Sequence, residues 1–476
     1  MRDYRKLYID GVWVESAGGI PHDVINPATE AVAGQICLAT HEDVDRAVSA
    51  ARRAFQSFSL SSREDRLALL NAILAGFAAR QQELADALVE ELGAPAKLAL
   101  EAQVGSGLMH LMTGIEVLKT YAFEHAASPR TTVKREPIGV VGMITPWNWP
   151  INQVMCKIVP AIATGNTMVH KPSEVTPFTA HIIAEILHAA GVPAGVYNLV
   201  DGDGPTVGAA ISAHAGIDMV SFTGSTRAGI DVAKRAADTV KRVHQELGGK
   251  SPNIVLEGAD LPQAIGENIH RVMMNSGQTC HAPTRLLVPA TRLEEAKAIA
   301  AHVVQTLPVG DPTTGVYLGP VVSEAQWTRI QALIAKGLEE GAALVAGGPG
   351  RPEGLSKGYY VRPTVFADVT NDMTIAREEI FGPVLCIIDY GDVEEAIRIA
   401  NDTPYGLAAY VQASTDAQAE EVAARLEAGM VYINGASEDG AAPFGGYKTS
   451  GNGREWGEAA FADYLETKAV IHRASA

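Results

Sequence analysis

Cys280, one of four cysteines in the chain, sits in the stretch Asn275-Ser276-Gly277-Gln278-Thr279-Cys280-His281. As a thiolate, cysteine attacks electrophilic carbon, and that chemistry needs a partly exposed, polarised setting. The residues before it are small and flexible. Ile265, Ile269, Val272 and Met273 fall at helical spacing and predict a helix over 259–274. Arg285-Leu286-Leu287-Val288 reads as a strand. A cysteine at such a helix-to-strand junction can present its sulfur to a cleft. Taken alone, Cys280 fits equally the commoner fate of a free cysteine, a small buried hydrophobe. His281 invites a Cys-His pairing, but adjacent side chains on an extended chain point apart. His281 is therefore expected to line the pocket or to pack.

A second candidate is Thr223-Gly224-Ser225-Thr226-Arg227-Ala228-Gly229, which follows the apolar run ending at Phe222 and opens a helix. Glycine at such a turn lets the backbone approach a phosphate, and a helix N-terminus favours its charge. It is not GxGxxG, and most strand-Gly-helix turns bind nothing. Gly202-Asp203-Gly204 reads as a plain turn, since Asp203 and Pro205 suit an anion poorly.

These residues need a scaffold, and the 476-residue chain is long enough for more than one domain. Its 47% hydrophobic content can fill sizeable cores. The formal net charge of −17, with no strong basic run, argues against a nucleic-acid partner. No signal peptide is read at Met1-Arg2-Asp3-Tyr4, and no apolar run is long enough to span a bilayer. Cys37, Cys156, Cys280 and Cys386 lie far apart without a CxxC pair. That fits neither a disulfide framework nor a zinc site, and points to a reducing cytoplasm. The histidines show no metal-ligand spacing, so no metal is expected.

The opening reads as short strands, Leu7-Tyr8-Ile9 and Val12-Trp13-Val14, with a turn at Asn26-Pro27-Ala28-Thr29. Helices are predicted over 42–58, 63–76, 81–92 and, as one long rod, 101–121. Thr131 to Arg135 alternates like an exposed strand. Apolar strands at 140–144, 167–170, 197–200, 219–222 and 242–244 then alternate with helices starting near Ile151, Pro177, Pro205 and Ser225. Such alternation implies a parallel sheet covered on both faces. Ligands sit at the carboxyl ends of its strands. It restarts at Asn253-Ile254-Val255-Leu256 in a second α/β unit running to about Gly446, and Phe461 to Ile471 reads as a terminal strand.

Seven segments occur in a telling order: Thr145-Pro146-Trp147-Asn148-Trp149-Pro150, Lys171-Pro172-Ser173-Glu174, Phe222-Thr223-Gly224-Ser225-Thr226, Glu246-Leu247-Gly248-Gly249-Lys250, Gly277-Gln278-Thr279-Cys280, Glu378-Glu379-Ile380-Phe381-Gly382-Pro383 and Pro443-Phe444-Gly445-Gly446. Together they resemble the NAD(P)-dependent aldehyde dehydrogenase superfamily, from about Asn26 to the end. The resemblance implies an α/β fold with two Rossmann-like parallel-sheet domains plus a small β oligomerisation arm. The dinucleotide-binding domain would span 1–118 and 138–248, the catalytic domain 249–448, and the arm 119–137 and 461–476. A homo-oligomer, dimer or tetramer, is implied, since two-stranded arms are marginal alone.

By the same resemblance Cys280 is the nucleophile toward an aldehyde. Asn148 and the Cys280 N–H would stabilise the oxyanion, and Glu246 would activate water to hydrolyse the thioacyl-enzyme. Alone, Asn148 reads equally as a helix cap beside Pro150, and Glu246 as a solvated carboxylate. For the cofactor, Thr145, Pro146, Trp147, Lys171, Ser173, Glu174, Thr223, Gly224, Ser225, Leu247, Glu379 and Phe381 match the family's contacts, although Phe381 also suits a core. Glu174 would hold ribose hydroxyls and repel a 2′-phosphate, which implies NAD, with NADP possible through Lys171.

Trp149, Gln153, Cys156, Thr279, His281 and Ser437 are expected to line the substrate tunnel. The small Cys156 and the carboxylates of Glu438 and Asp439 suggest a roomy tunnel with an acidic mouth. Such a tunnel would favour neutral aldehydes, unless both carboxylates simply face solvent. A CoA-acylating enzyme of the same fold is disfavoured by Glu246, and a non-catalytic binding role by the presence of Cys280 and Glu246. A cofactor-free thiol esterase activity is a possible side reaction.

Overall fold

The computed structural model describes residues 1–473, so the last three positions of the expected arm lie outside the described residues. Four sheets form among the described residues. The largest runs Gly451–Asn452, Arg242–Glu246, Met219–Thr223, Val140–Ile144, Thr167–Lys171, Tyr197–Leu199, Leu7–Ile9, Val12–Val14 in space. Its five middle strands are mutually parallel. Val140–Ile144, Thr167–Lys171 and Met219–Thr223 are buried along their whole length, which is why they read as unbroken apolar runs rather than alternations.

Helices cover both faces. Leu70, Phe77, Leu111, Ile158 and Ile182 pack on one side. Val44, Val48 and Val232 pack with Val140 and Val220 on the other. Val140–Ile144 is the first parallel strand in sequence, yet it lies at the centre of the sheet. The next two strands stack to one side of it and the last two to the other. The crevice beyond Ile144 and Thr223 is therefore the topological switch point, the place where open α/β sheets bind ligands.

The second large sheet runs Ala343–Ala346, Thr364–Ala367, Val384–Tyr390, Arg285–Pro289, Pro252–Val255, Ala408–Gln412, Met430–Ile433, and is parallel except at its first strand. The terminal strand Leu465–Ile471 pairs antiparallel with Thr131–Pro137, which pairs with the fully exposed Glu124–Ser128. Two features depart from the expected layout. Arg2–Tyr4, Ile20–Asn26 and Ala31–Leu38 form a separate sheet. Its strands carry exposed Ile20 and Val32 and polar residues, so no clean period marks them. The rod expected over 101–121 is broken: Ala99–Val104 is a π-helical turn and Gly105–Thr120 is α-helix. The wider turn leaves Gln103 buried, where it reaches the backbone of Asn148. No helix among the described residues is long and apolar enough to cross a membrane.

Arg285 opens the strand that follows the cysteine loop, and its guanidinium is fully buried. It donates to Lys250 O at 2.9 Å, Asn371 Oδ1 at 3.0 Å, Ile399 O at 2.8 Å and Ala400 O at 2.8 Å. Burial pushes its pKa down to about 10. Arg285→Ala strips four buried acceptors of their donor and leaves a cavity. It is expected to lower the unfolding free energy by about 3–5 kcal/mol. Urea unfolding of the two proteins measures this directly, and a loss below about 1 kcal/mol would contradict the anchoring role.

Candidate active site

The loop after Val140–Ile144 carries Asn148, and its backbone is held from two directions. Gln103 Nε2 donates to Asn148 O at 3.1 Å, and Asn275 Nδ2 donates to the same oxygen at 2.8 Å. Asn148 returns the contact, its Nδ2 donating to Gln278 O at 3.1 Å. Trp149 Nε1 donates to Thr279 Oγ1 at 3.0 Å. Asn148 is not a helix cap: the helix Pro150–Ala163 starts after Trp149 without a side-chain cap. Its amide is turned instead to the cysteine loop of the other sheet.

That loop is strained. The helix Leu261–Met273 ends, and Asn275, Ser276 and Gly277 take φ of 52°, 55° and 77° in succession. Left-handed backbone costs a non-glycine residue about 1–3 kcal/mol, so the surroundings must hold it. Gln278 Nε2 donates to Asn275 O, Gln278 Oε1 accepts from Val322 N, and Ser276 Oγ donates to Gly319 O. At Gly277 a side chain would collide with Gly382, whose backbone lies 2.1 Å from where a Cβ would stand. The sharp reversal brings Cys280 to the wall between two cavities, about 700 Å³ and about 260 Å³.

Burial, then the charges of Glu379, Glu246 and Glu438, push the Cys280 thiol well above the usual thiol range. Cys280 and His281 lie in a turn rather than an extended segment. Their side chains do not point apart as expected, and His281 Nδ1 lies 3.9 Å from Cys280 Sγ. His281 Nε2 is 2.8 Å from Glu438 Oε1.

Glu246 ends the strand Arg242–Glu246 and is buried, not solvated. Neither carboxylate oxygen has a hydrogen-bond partner. Around it lie His244, whose Nε2 is 3.9 Å from Glu246 Oε1, and the buried Lys157–Glu455 ion pair. His244 is tied by Nδ1 to Asp463 at 2.7 Å. Burial and the charge of Glu455 raise the Glu246 pKa well above the carboxylate range, against the pull of Lys157 and Arg454.

The smaller cavity is walled by Pro146, Trp147, Thr223, Gly224, Ser225, Leu247, Glu379 and Phe381, with Asn148 and Cys280 at its inner end. Ser225 Oγ caps the helix Thr226–Ala236. Trp147 and Phe381 meet edge to face at 5.3 Å. Glu379 accepts from Gly249 N at 3.0 Å, and burial lifts its pKa to about 7. A side chain on Gly248 would meet that carboxylate at 2.3 Å. Thr145, Lys171, Ser173 and Glu174 stand outside this cavity, at the ends of the neighbouring strands. Thr145 Oγ1 pairs with His170, Lys171 Nζ sits 3.1 Å from Glu174, and Ser173 Oγ accepts from Val175 N.

The larger cavity is walled by Trp149, Gln153, Thr279, His281 and Ser437, with Met109, Met274, Phe444 and Trp456 adding apolar surface. Cys156 is not on this wall. It is buried behind Phe444 and Trp456, and its thiol donates to Glu455 Oε2 at 3.3 Å. Tunnel width is therefore not set by the small Cys156. Nor is the mouth simply acidic. Glu438 turns inward onto His281 with 39% of its side chain exposed, Asp439 caps Ala441 N, and Arg271 stands on the same wall. Gln103, Lys157, His244, Asn275 and Glu455 were not among the expected site residues. The only signal for any of them was the run of small residues before Cys280. No cluster of metal-ligating side chains occurs among the described residues.

Residues 13–470 match the model of the aldehyde dehydrogenase family. A 3-succinoylsemialdehyde-pyridine dehydrogenase from a Pseudomonas species is 52% identical over 99% of both chains. Among solved structures, an aldehyde dehydrogenase C mutant from Pseudomonas syringae, in complex with NAD+ and octanal, superposes with a TM-score of 0.98. It is 50% identical, over 99% of this chain and 97% of that one. A Mycobacterium tuberculosis aldehyde dehydrogenase complexed with NAD+ gives a TM-score of 0.97 at 40% identity, over 99% and 98% of the two chains. With a clefted cysteine between two cavities and a match spanning nearly its whole length, the chain belongs to the aldehyde dehydrogenase family.

Proposed function

We propose that the protein oxidises a neutral, largely apolar aldehyde to its carboxylic acid with NAD, through a covalent adduct on Cys280. The observation that carries this reading is the position of Cys280 on the shared wall of the two cavities. The smaller cavity suits a nicotinamide dinucleotide. Gly224 and the capped helix after Ser225 favour a phosphate, Glu379 on the cavity wall beside Gly248 suits ribose hydroxyls, and Trp147 and Phe381 offer ring faces. Glu174 beside Lys171 favours ribose hydroxyls over a 2′-phosphate. NAD+ in the related structures supports the same choice. When bound, the dinucleotide supplies the hydride acceptor.

The chain's own residues do the rest. Cys280 Sγ adds to the carbonyl carbon. The oxygen that becomes negative is met by Asn148 Nδ2 and the Cys280 N–H. Once the acyl group is on sulfur, Glu246 takes a proton from the attacking water. Its unbonded oxygens leave it free to do so.

The apolar cavity wall, and the octanal and pyridine-semialdehyde relatives, support medium-length aliphatic or aromatic aldehydes as substrates. The same reading divides the chain into a dinucleotide-binding part (1–118 and 138–248), a catalytic part (249–448) and an arm. The arm's exposed strand Glu124–Ser128 supports a dimer or tetramer. A cytoplasmic setting accords with four free cysteines.

Two measurements test this. Absorbance of NADH over an aldehyde panel should show turnover with octanal-like and aromatic aldehydes and none with Cys280→Ala. Asn148→Ala should lower kcat by about 10²–10³. Succinic semialdehyde as clearly the best substrate would overturn the proposed class.

The second measurement is the pH profile of deacylation. Glu246 works only ionised, and its pKa is raised, so the rate should climb with pH through a limb above the ordinary carboxylate range. Glu455→Gln removes a negative neighbour, lowers that pKa and should move the limb to lower pH. A limb that stays in place would detach Glu246 from the step.

A further inference from the structure

Cys280 Sγ makes a side-chain contact with His281 Nδ1 at 3.9 Å. The far nitrogen of the same ring is held at 2.8 Å by Glu438. The ring is confined on its flanks. Tyr432 stacks on it at 6.4 Å, Phe444 meets it edge-on at 5.6 Å, and only 12% of the side chain is exposed. The His281 carbonyl is fixed by the Tyr410 hydroxyl at 3.0 Å. Burial would raise the Glu438 pKa, but its surroundings, with His281, Arg271 and His110 all acting on it, lower it and favour the carboxylate. An ionised carboxylate accepts and cannot donate. A hydrogen on Nε2, the nitrogen that faces Glu438, leaves the Nδ1 lone pair of the neutral ring toward the sulfur.

We infer that His281 is the base that takes the Cys280 proton as the sulfur attacks, and that Glu438 is a positioning residue fixing its tautomer. The S–H bond breaks, its electron pair forms the bond to carbonyl carbon, and the proton moves to Nδ1, giving an imidazolium beside Glu438. No other reactant is needed. This deepens the proposed function and rests on its assignment of Cys280 as nucleophile. It leaves Glu246 for water, and it answers a problem set by the site itself. Burial first, and then the charges of Glu379, Glu246 and Glu438, hold the proton on the thiol, so a nearby base assists its removal. Around His281 the other ionisable groups are Tyr410 and Tyr432, both kept neutral by burial. Arg271 lies over both phenols, and His110 and Arg271 act on Glu438 from the far side.

The test reads the thiol without cofactor or aldehyde, so its failure is separable from failure of the proposed oxidation. Alkylation of Cys280 by iodoacetamide is followed by mass spectrometry from about pH 6 to about pH 10. The parent should show one limb rising across neutral pH and a second at high pH, where the bulk thiol ionises. His281→Asn should lose the neutral limb, with the rate at pH 7 falling by about 10²-fold. Glu438→Gln, at the cavity rim, should lower the same limb by about tenfold and leave the high-pH limb in place. That second variant, with circular dichroism of both, separates lost base from lost fold. Glu246→Gln should keep the neutral limb. The inference is overturned if Glu438→Gln and a folded His281→Asn both alkylate within about twofold of the parent at every pH, or if Glu246→Gln abolishes the neutral limb.

Discussion

The site depends on a reciprocal amide clamp between loops of two different sheets. Asn275 donates to the carbonyl of Asn148, and Asn148 donates to the carbonyl of Gln278. All three side chains are buried, so none of these bonds competes with water, and each lost partner would strand a buried polar group. The clamp crosses from the eight-stranded sheet to the seven-stranded sheet that carries the cysteine loop. It fixes the distance between the two loops, and with it the place where Cys280 meets both cavities. The left-handed backbone at Asn275 and Ser276 is the strain this register imposes, and Gly277 follows because Gly382 leaves no space for a side chain. Strain of that kind persists only when its surroundings over-determine it. The Arg285 anchor, the Gln278 side chain and the Ser276 hydroxyl do so here.

The second constraint is electrostatic. Several carboxylates converge on one thiol, and each is managed differently. Glu379 is bonded to a backbone N–H, Glu438 to His281, and Glu246 to nothing. Lys157 is buried beside Glu455 and partly compensates the charge near Glu246. A lone charge in such surroundings is strongly disfavoured, and paired ones only break even. The cluster therefore reads as a functional arrangement rather than a stabilising one. It keeps the sulfur protonated until something local accepts the proton.

Much of this was legible in the sequence. The five parallel strands and their alternation with helices show as apolar runs, and the terminal strand as the spacing of Leu465, Thr467, Ala469 and Ile471. Fully buried strands produce such runs whatever their neighbours. The small first sheet was invisible, because strands such as Ile20–Asn26 bury one residue in seven and keep no period. The π turn at Ala99–Val104 left no trace either: one extra residue per turn changes which side chains face inward without changing composition. Within the site, residue types were readable and directions were not. Cys156 was placed on the right helix and on the wrong face. His281 was set aside on a rule for extended chains that does not hold in a turn. Glu246 was found, but the Lys157, His244 and Glu455 around it come from segments far apart in sequence, and no local spacing joins them.

The two departures at the larger cavity change what its wall can select. With Cys156 hidden behind Phe444 and Trp456, the inner wall is aromatic and thioether surface. With Glu438 drawn onto His281 and Arg271 nearby, the rim carries opposite charges at short range rather than one sign. A rim of paired charges exerts little field beyond a Debye length of about 8–10 Å, so steering of charged substrates by the mouth is weak. Discrimination must then come from desolvation inside. An aldehyde with a carboxylate at its far end would have to bring that charge in among Met109, Phe444 and Trp456, with Arg271 as the one permanent cation among the described residues of the wall, and its desolvation costs several kcal/mol. A neutral chain or ring would replace water against apolar surface at a gain of about 25 cal/mol per Å². Under the proposed function, a preference for neutral aldehydes rests on the interior wall and not on repulsion at the entrance.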